Sequence, residues 1–204
     1  MTKKLFLTLS IIALFTSCGA RRTAVQDPAT FDEGVVINGI RWATRNVDMP
    51  GTFAASPESP GMFFQWNRRK GWNTTDSIIE NWDNSTPKGY IWARENDPCP
   101  KGWRVPTRAE LESLNNAKSE WTTLNGINGR LFGNIPNQLF LPAMGFRDAN
   151  GVLCSAGSIG CYWGSTAGVV IVASFGSTLW FHNIRNLVDS IYRGLGRSIR
   201  CVAK

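Results

Sequence analysis

Four cysteines, Cys99, Cys154, Cys161 and Cys201, and a single histidine, His182, are the side chains of this chain with the widest chemical reach. Cysteines can hold zinc, attack as thiolates, or pair. Zinc ligands come in close-spaced sets; no C-x-x-C is present and the only His lies far from most of the cysteines, so no metal is assigned. An even set in an oxidising compartment reads as two disulfides. Four cysteines allow three pairings, and spacing alone does not choose among them. Six residues, SAGSIG, separate Cys154 from Cys161, so a local bridge closes easily. Cys99 would then pair with Cys201, and a loop that long is worth ~4–5 kcal/mol in the chain-entropy account. With all four oxidised, no thiolate nucleophile is left. His182 has no neighbouring Asp or Ser in a catalytic pattern. Between Gly145 and Lys204 the only carboxylates are Asp148 and Asp189, too few for an oxygen cage around calcium. The reading is therefore not an enzyme: no catalytic residue, metal or cofactor is assigned.

The N-terminus sets the expected address. Lys3 and Lys4 precede the apolar run Leu5–Phe15, which is too short to span a bilayer and right for a secretory signal. Thr16 and Ser17 then lead into Cys18 in "LFTSC", which resembles the lipobox of bacterial lipoproteins, with Phe15 in place of the usual Leu. The resemblance implies cleavage before Cys18 and lipidation of its thiol. Several acyl chains anchor firmly because each buried methylene contributes ~0.8 kcal/mol. The expectation is an outer-membrane lipoprotein of the cell envelope, exposed at the surface, with the membrane as partner through its anchor. The formal charge of +7 includes Lys3 and Lys4. The remaining basic residues are scattered, apart from Arg68, Arg69 and Lys70 and the pair Arg21 and Arg22 beside the anchor. Nucleic-acid binding would need a basic stripe or a motif, so no such partner is expected.

The elements that must position these side chains follow from pattern and turn chemistry. Residues 1–17 are signal, 18–34 a polar lipid-anchored tether, and 35–204 one folded domain. "VVINGIRW" predicts a hairpin about Asn38-Gly39. "GMFFQW", 61–66, predicts a strand, and 67–98 is loop-rich, interleaved with Trp72, Trp82 and Trp92. "PTRAELESLNNAK" predicts a helix: Thr107 and Glu110 make a capping box, and Leu111 and Leu114 an apolar face. A second, weaker helix is placed within 117–125. Strands follow in "RLFGN", "QLFLPAMGFRD", "CYWGST", "TLWFHN" and "RSIRCVA", with a turn at "DANG", 148–151. The class is α+β, with twisted antiparallel sheets and one or two helices.

Four ordered segments make the reading more specific: "CPKGWRVPTRAELESL" (99–114), "GFR" (145–147), "YWGST" (162–166) and "GRSIRCV" (196–202). Together they resemble the Fibrobacter succinogenes major paralogous domain, over roughly residues 35–204, with Gly164 where that family usually has Ser. "WATRNV" and "FFQW" match its N-terminal strands less tightly. The resemblance implies a disulfide-stabilised C-type lectin-like fold, related also to formylglycine-generating enzymes, whose N- and C-terminal strands meet. It implies that Cys99–Cys201 ties the helix entry to the last strand. Formylglycine-generating relatives need a C-terminal cysteine pair, and Cys201 is then already taken. Sugar-binding C-type lectins use E-P-N or Q-P-D and W-N-D tripeptides; "IPNQ" (135–138) and "NWDN" (81–84) are not these. Calcium-dependent sugar binding is thus not expected, and stacking of a sugar on Trp180 or Trp163 is the chemistry left.

The stretch 164–203 contains no Lys, Glu, Gln or Met, although the whole chain holds 21 of them. Codons with scrambled first and second bases before a pyrimidine cannot encode these residues or Trp. Diversity-generating retroelements scramble the C-terminal repeat of lectin-like surface proteins in this way, and the resemblance extends to such targets; Trp180 would be an unmutated position. A β-rich terminus that avoids long polar side chains gives the same deficit. On the diversified reading, Tyr162, Trp163, Ser165, Thr166, Leu179, Phe181, Ile199, Arg200 and Cys201 are fixed scaffold. The ligand-binding face comprises Val169, Val170, Ile171, Val172, Phe175, Trp180, His182, Asn183, Arg185, Val188, Asp189, Ile191, Tyr192 and Arg193. The function expected is a binding module that presents this face to a protein or glycan ligand. The alternative is a structural subunit of a surface appendage or envelope complex.

Overall fold

Turn chemistry accounts for the first element of the computed structural model, which describes residues 27–168 and 174–204. Strands β1 (Val35–Ile37) and β2 (Ile40–Trp42) pair through Asn38 and Gly39, whose φ angles of 50° and 80° suit a tight hairpin. A short hairpin of β3 (Phe63–Phe64) and β4 (Gly71–Trp72) follows. After a 3₁₀ turn at Arg94–Asn96 come β5 (Trp103–Arg104) and helix α1 (Arg108–Asn115). The helix starts where its capping box dictates. The Glu110 N–H donates to the Thr107 hydroxyl, and the Thr107 N–H donates to the Glu110 carboxylate at 2.7 Å. Leu111 and Leu114 are its buried face.

The second expected helix is a strand. Ser119–Leu124 is β6, paired with β7 (Ile127–Asn134), which pairs with β8 (Asn137–Pro142). Asn125 and Gly126, at φ 48° and 83°, form another two-residue turn, and "WTT" contributes aromatic and β-branched residues that favour a pleated surface. Strands β9 (Phe146–Arg147) and β10 (Leu153–Cys154) flank the expected Asp148–Gly151 turn. Strands β11 (Gly160–Ala167), β12 (Phe175–Phe181) and β13 (Asn186–Tyr192) form a three-stranded sheet. Last comes β14 (Val202–Ala203), which lies between β2 and β5, so the two ends of the domain meet in the sheet order β1-β2-β14-β5. The molecule is a mostly antiparallel α+β protein with one α-helix among the described residues.

The folded part begins before Val35. Asp32 is buried and ion-paired with Arg45 at 3.1 Å, and the Phe53 N–H donates to the Ala29 carbonyl at 2.6 Å. The stretch read as tether is therefore docked from Asp27 onward. Cys18 and residues 1–17 lie outside the described residues, as do Val169, Val170, Ile171 and Val172.

Two apolar cores hold the elements. One joins α1 to the inner face of the β11–β13 sheet and to β6–β8, through Leu111, Phe132, Leu139, Tyr162, Leu179, Phe181 and Val188. The other is rich in tryptophan and contains Trp66, Trp92, Trp103 and Trp163. Inside this second core Cys99 and Cys201 are disulfide-bonded across 102 residues. The expected partner bridge is absent: Cys154 and Cys161 are free thiols. They lie on strands of different sheets, Cys154 at the end of β10 and Cys161 second in β11, and the Ser155–Ile159 turn between them is closed by its own backbone hydrogen bonds instead. Cys154 Sγ faces the Val152 carbonyl at 3.6 Å, while Cys161 is buried, paired with Trp180 of β12.

Candidate functional site

β12 is the middle strand of its sheet, and register decides what each face carries. Leu179 lies opposite Tyr162 and Val188, Trp180 opposite Cys161 and Leu187, and Thr178 opposite Trp163 and Asp189. Side chains alternate along a strand. Tyr162, Leu179, Phe181 and Val188 accordingly turn inward to the helix, where all four are buried. Cys161, Trp163, Thr178, Trp180, Asp189 and Ile191 share the opposite face. Trp163 is itself fully buried, its indole N–H donating to the Phe64 carbonyl at 2.7 Å. It cannot stack on a sugar, which corrects that expectation.

The rest of this outer face borders an open groove of about 210 Å³. Trp180, Asp189 and Ile191 line it together with Phe146 and Ile159. Thr178, Cys161 and Arg197 complete the lining. Trp180 is half-buried and Asp189 exposed. At the outer end of the groove the Trp180 ring is stacked with His182, centroids 5.5 Å apart at 20°, and the Arg185 guanidinium lies 5.1 Å from the Trp180 centroid. His182 Nδ1 is 3.2 Å from Asn183 Oδ1 and accepts the Ile184 N–H at 3.3 Å.

Arg197 is held by its backbone more firmly than a loop residue usually is. It exchanges two hydrogen bonds with Phe64, at 2.8 and 2.9 Å. Its neighbours Gly196 and Ser198 bond to Arg147 on one side and to Cys161 and Trp163 on the other. Its side chain is 5% exposed. The guanidinium donates to Thr178 Oγ1 at 3.0 Å and packs 5.3 and 5.5 Å from the ring centroids of Trp163 and Phe146. Nε has no partner, and no ion pair reaches this arginine among the described residues. Burial pushes the Cys161 thiol above its ordinary pKa, and the neighbouring Arg197 only partly offsets this. Cys161 is thus a neutral thiol at pH 7, not a nucleophile.

The structure brings together part of the predicted face. Trp180, Asp189 and Ile191 line the groove, with His182, Asn183 and Arg185 at its outer end. Phe175 and Tyr192 pair at the far end of the sheet, and by strand alternation they fall on the side of Leu179. Tyr192 is occupied there, its hydroxyl donating to the Asn84 carbonyl at 2.5 Å. Two predicted residues do not belong to any surface. Val188 is 8% exposed and part of the helix-side core, because its strand phase points inward. Arg193 is fully buried, stacked 3.8 Å over Trp66 and donating to the Phe175 and Pro87 carbonyls at 3.0 and 2.8 Å. The reading missed Arg197, Thr178, Phe146 and Ile159. A Thr two residues before Trp180 was findable from alternation alone. Nothing in "GRSIRC" distinguishes the arginine that lines a groove from the one three residues later that does not.

No group of three or more His, Cys, Asp or Glu side chains among the described residues is placed to hold a metal ion. No described helix is long and apolar enough to cross a membrane. Comparison with protein-family models, curated proteins and solved structures returned no match for this chain.

Proposed function

We propose that this protein is a surface-anchored lipoprotein of the C-type lectin-like, major paralogous domain kind, which acts as a binding module and not as an enzyme. Its ligand-binding face is the outer side of β12 and β13. The observation that carries the reading is the groove itself. It joins a half-buried tryptophan, an exposed carboxylate and a buried guanidinium on strands fixed by two cores and a long-range disulfide. A few fixed polar groups among apolar walls are the usual composition of a recognition site. His182 touches an aromatic ring and an amide rather than a carboxylate or a nucleophile, which suits contact and not proton transfer. The test is a glycan array and a peptide library probed with wild type and with Trp180→Ala and Asp189→Asn. Specific binding lost in both variants, with circular dichroism unchanged, is the expected result. Binding indifferent to both, or no binding at all, overturns it.

A second reading, a structural subunit of an envelope assembly, draws on a different surface. Tyr90 and Ile91 are 82% and 70% exposed on the segment that bonds to the outer end of β11. Adjacent exposed apolar side chains of this size mark contact surfaces. If this surface docks a fixed partner, Tyr90→Ser with Ile91→Ser releases the protein from its complex on native gels while leaving ligand binding intact.

A further inference from the structure

Five arginines of the domain, Arg130, Arg147, Arg193, Arg197 and Arg200, are buried to 5% exposure or less. Three of them are spent on the fold. Arg147 donates to the carbonyls of Asn73, Asp76 and Gly151. Arg193 donates to those of Phe175 and Pro87. Arg200 donates to Asn46 Oδ1 and to backbone carbonyls on the Ala43–Pro57 segment. Arg130 leaves Nε and Nη1 without partners, but it stands mid-sheet between Trp121 and Leu141 and lines no part of the groove. Of these five, only Arg197 combines burial and an unpartnered Nε with a place in the groove lining. A buried cation without a counter-charge is costly, and a bound carboxylate would relieve that cost through a paired, charge-assisted contact.

We infer that the groove is a subsite for an acidic sugar: Arg197 holds the carboxylate of a uronic acid, and Asp189 accepts its hydroxyl hydrogens. This rests on the binding-module reading above and names the class of ligand. The volume of about 210 Å³ is below the roughly 300–1,000 Å³ of sites for drug-sized ligands, so it takes one ring and not an extended chain. Asp189 lines the same groove without an ion pair to Arg197, so its charge opposes a phosphate dianion more than it opposes a single carboxylate. The apolar lining residues Trp180, Ile191 and Phe146 fit the C–H faces of a pyranose. Arg185, beside Trp180 on the rim, disfavours the ammonium of an amino acid or peptide and tolerates neutral hydroxyls. Thr178, itself part of the groove lining, accepts from the guanidinium and fixes it, so the anion site is formed before the ligand arrives.

The experiment is titration of the full-length protein with D-glucuronate, D-glucose, acetate and glycine, followed by NMR shifts of the Trp180 indole and the Thr178 and Ile191 amides. Glucuronate is expected to bind tighter than each of the other three and to shift these signals. Arg197→Gln should weaken it roughly tenfold or more, since it removes one partner of a buried charge pair. Because that variant removes a buried side chain, Asp189→Asn at the exposed rim serves as the second test, with weaker glucuronate binding expected and the fold untouched. Equal binding of acetate or glycine, shifts confined to other surfaces, or wild-type affinity in Asp189→Asn overturns the inference. Neutral glycans or peptides bound at the same residues would overturn the acidic-sugar assignment while leaving the binding module standing; loss of all binding would remove both.

Discussion

Arg197 and Arg200 are three residues apart, both buried, and put to opposite uses. Burial pulls Arg200 down to about 10, with Tyr162 and Asp32 opposing the shift, so it remains charged at neutral pH, where Asn46 and backbone carbonyls accept its hydrogens. Tyr162, beside it, is pushed up to about 12 by the same desolvation and stays a neutral donor to the Pro142 carbonyl at 2.8 Å. Such polar staples are not interchangeable with groove residues, and neither are the two faces of β12. Leu179→Ala is expected to cost ~2–5 kcal/mol of stability in urea unfolding, as for other large-to-small core changes. Trp180→Ala, at a half-buried position, should cost clearly less; a larger loss than at Leu179 would place Trp180 in the core. The thiols give a second check at this scale. Native iodoacetamide treatment should label Cys154, which is half-buried, and spare Cys161, whose burial both hides it and raises its pKa. Peptide mapping that found these two cysteines joined would refute the free-thiol assignment.

Helix α1 shows how one element is set by a few side chains. Glu110 accepts from the Thr107 N–H and binds Arg104 through two hydrogen bonds of 2.6 and 2.8 Å. Desolvation acts to raise its pKa, but the Arg104 and Thr107 hydrogen bonds outweigh it and hold the carboxyl below its ordinary value. A depressed carboxylate stabilises the fold above its unfolded pKa and loses that contribution as pH falls through the folded one. Wild type should therefore exceed Glu110→Gln in stability at pH 7, and the gap should start to narrow near pH 4.5, the unfolded value, and close as pH falls through the lower folded one. A gap that persisted at pH 2 would mean the side chain acts by packing and not by charge. Thr107→Ala removes the other half of the box, including a hydroxyl bond to the ionised Glu110, and should cost ~1 kcal/mol at pH 7. The cap and the first hairpin were legible because their signals are local, T-x-x-E and Asn-Gly. The same Asn-Gly signal stood at 125–126, but the moderate helix propensity around 117–125 obscured it, and β6 was read as helix.

At the level of the whole molecule, what was legible was the order of strands and the meeting of the two ends. What was not legible was strand phase. Val188 and Asp189 look alike as candidates in "NLVDSIY", and only pairing with β12 sends the first inward and the second out. Arg193 and Arg197 were hidden for a related reason: whether a guanidinium finds carbonyls or a cavity depends on loops far away in sequence, at Pro87 for one and Phe146 for the other. The Cys99–Cys201 bridge fastens the segment before β5 to the one before β14 inside the tryptophan-rich core. Arg197 is only four residues from Cys201, so whether the bridge also positions the groove is a testable question. Cys99→Ser with Cys201→Ser should cost ~2–5 kcal/mol, since the loop of 102 residues it closes restricts the unfolded chain. If the bridge acts mainly on the unfolded state, the double variant, wherever it remains folded, keeps its ligand affinity and loses only thermal stability. If instead it positions the 196–201 segment, affinity falls together with melting temperature. Two strands of backbone bonds on Arg197, to Phe64 and through its neighbours to Arg147 and Trp163, do not involve the disulfide. The first outcome is therefore the one expected, and a reduced but folded protein with an empty groove would contradict it.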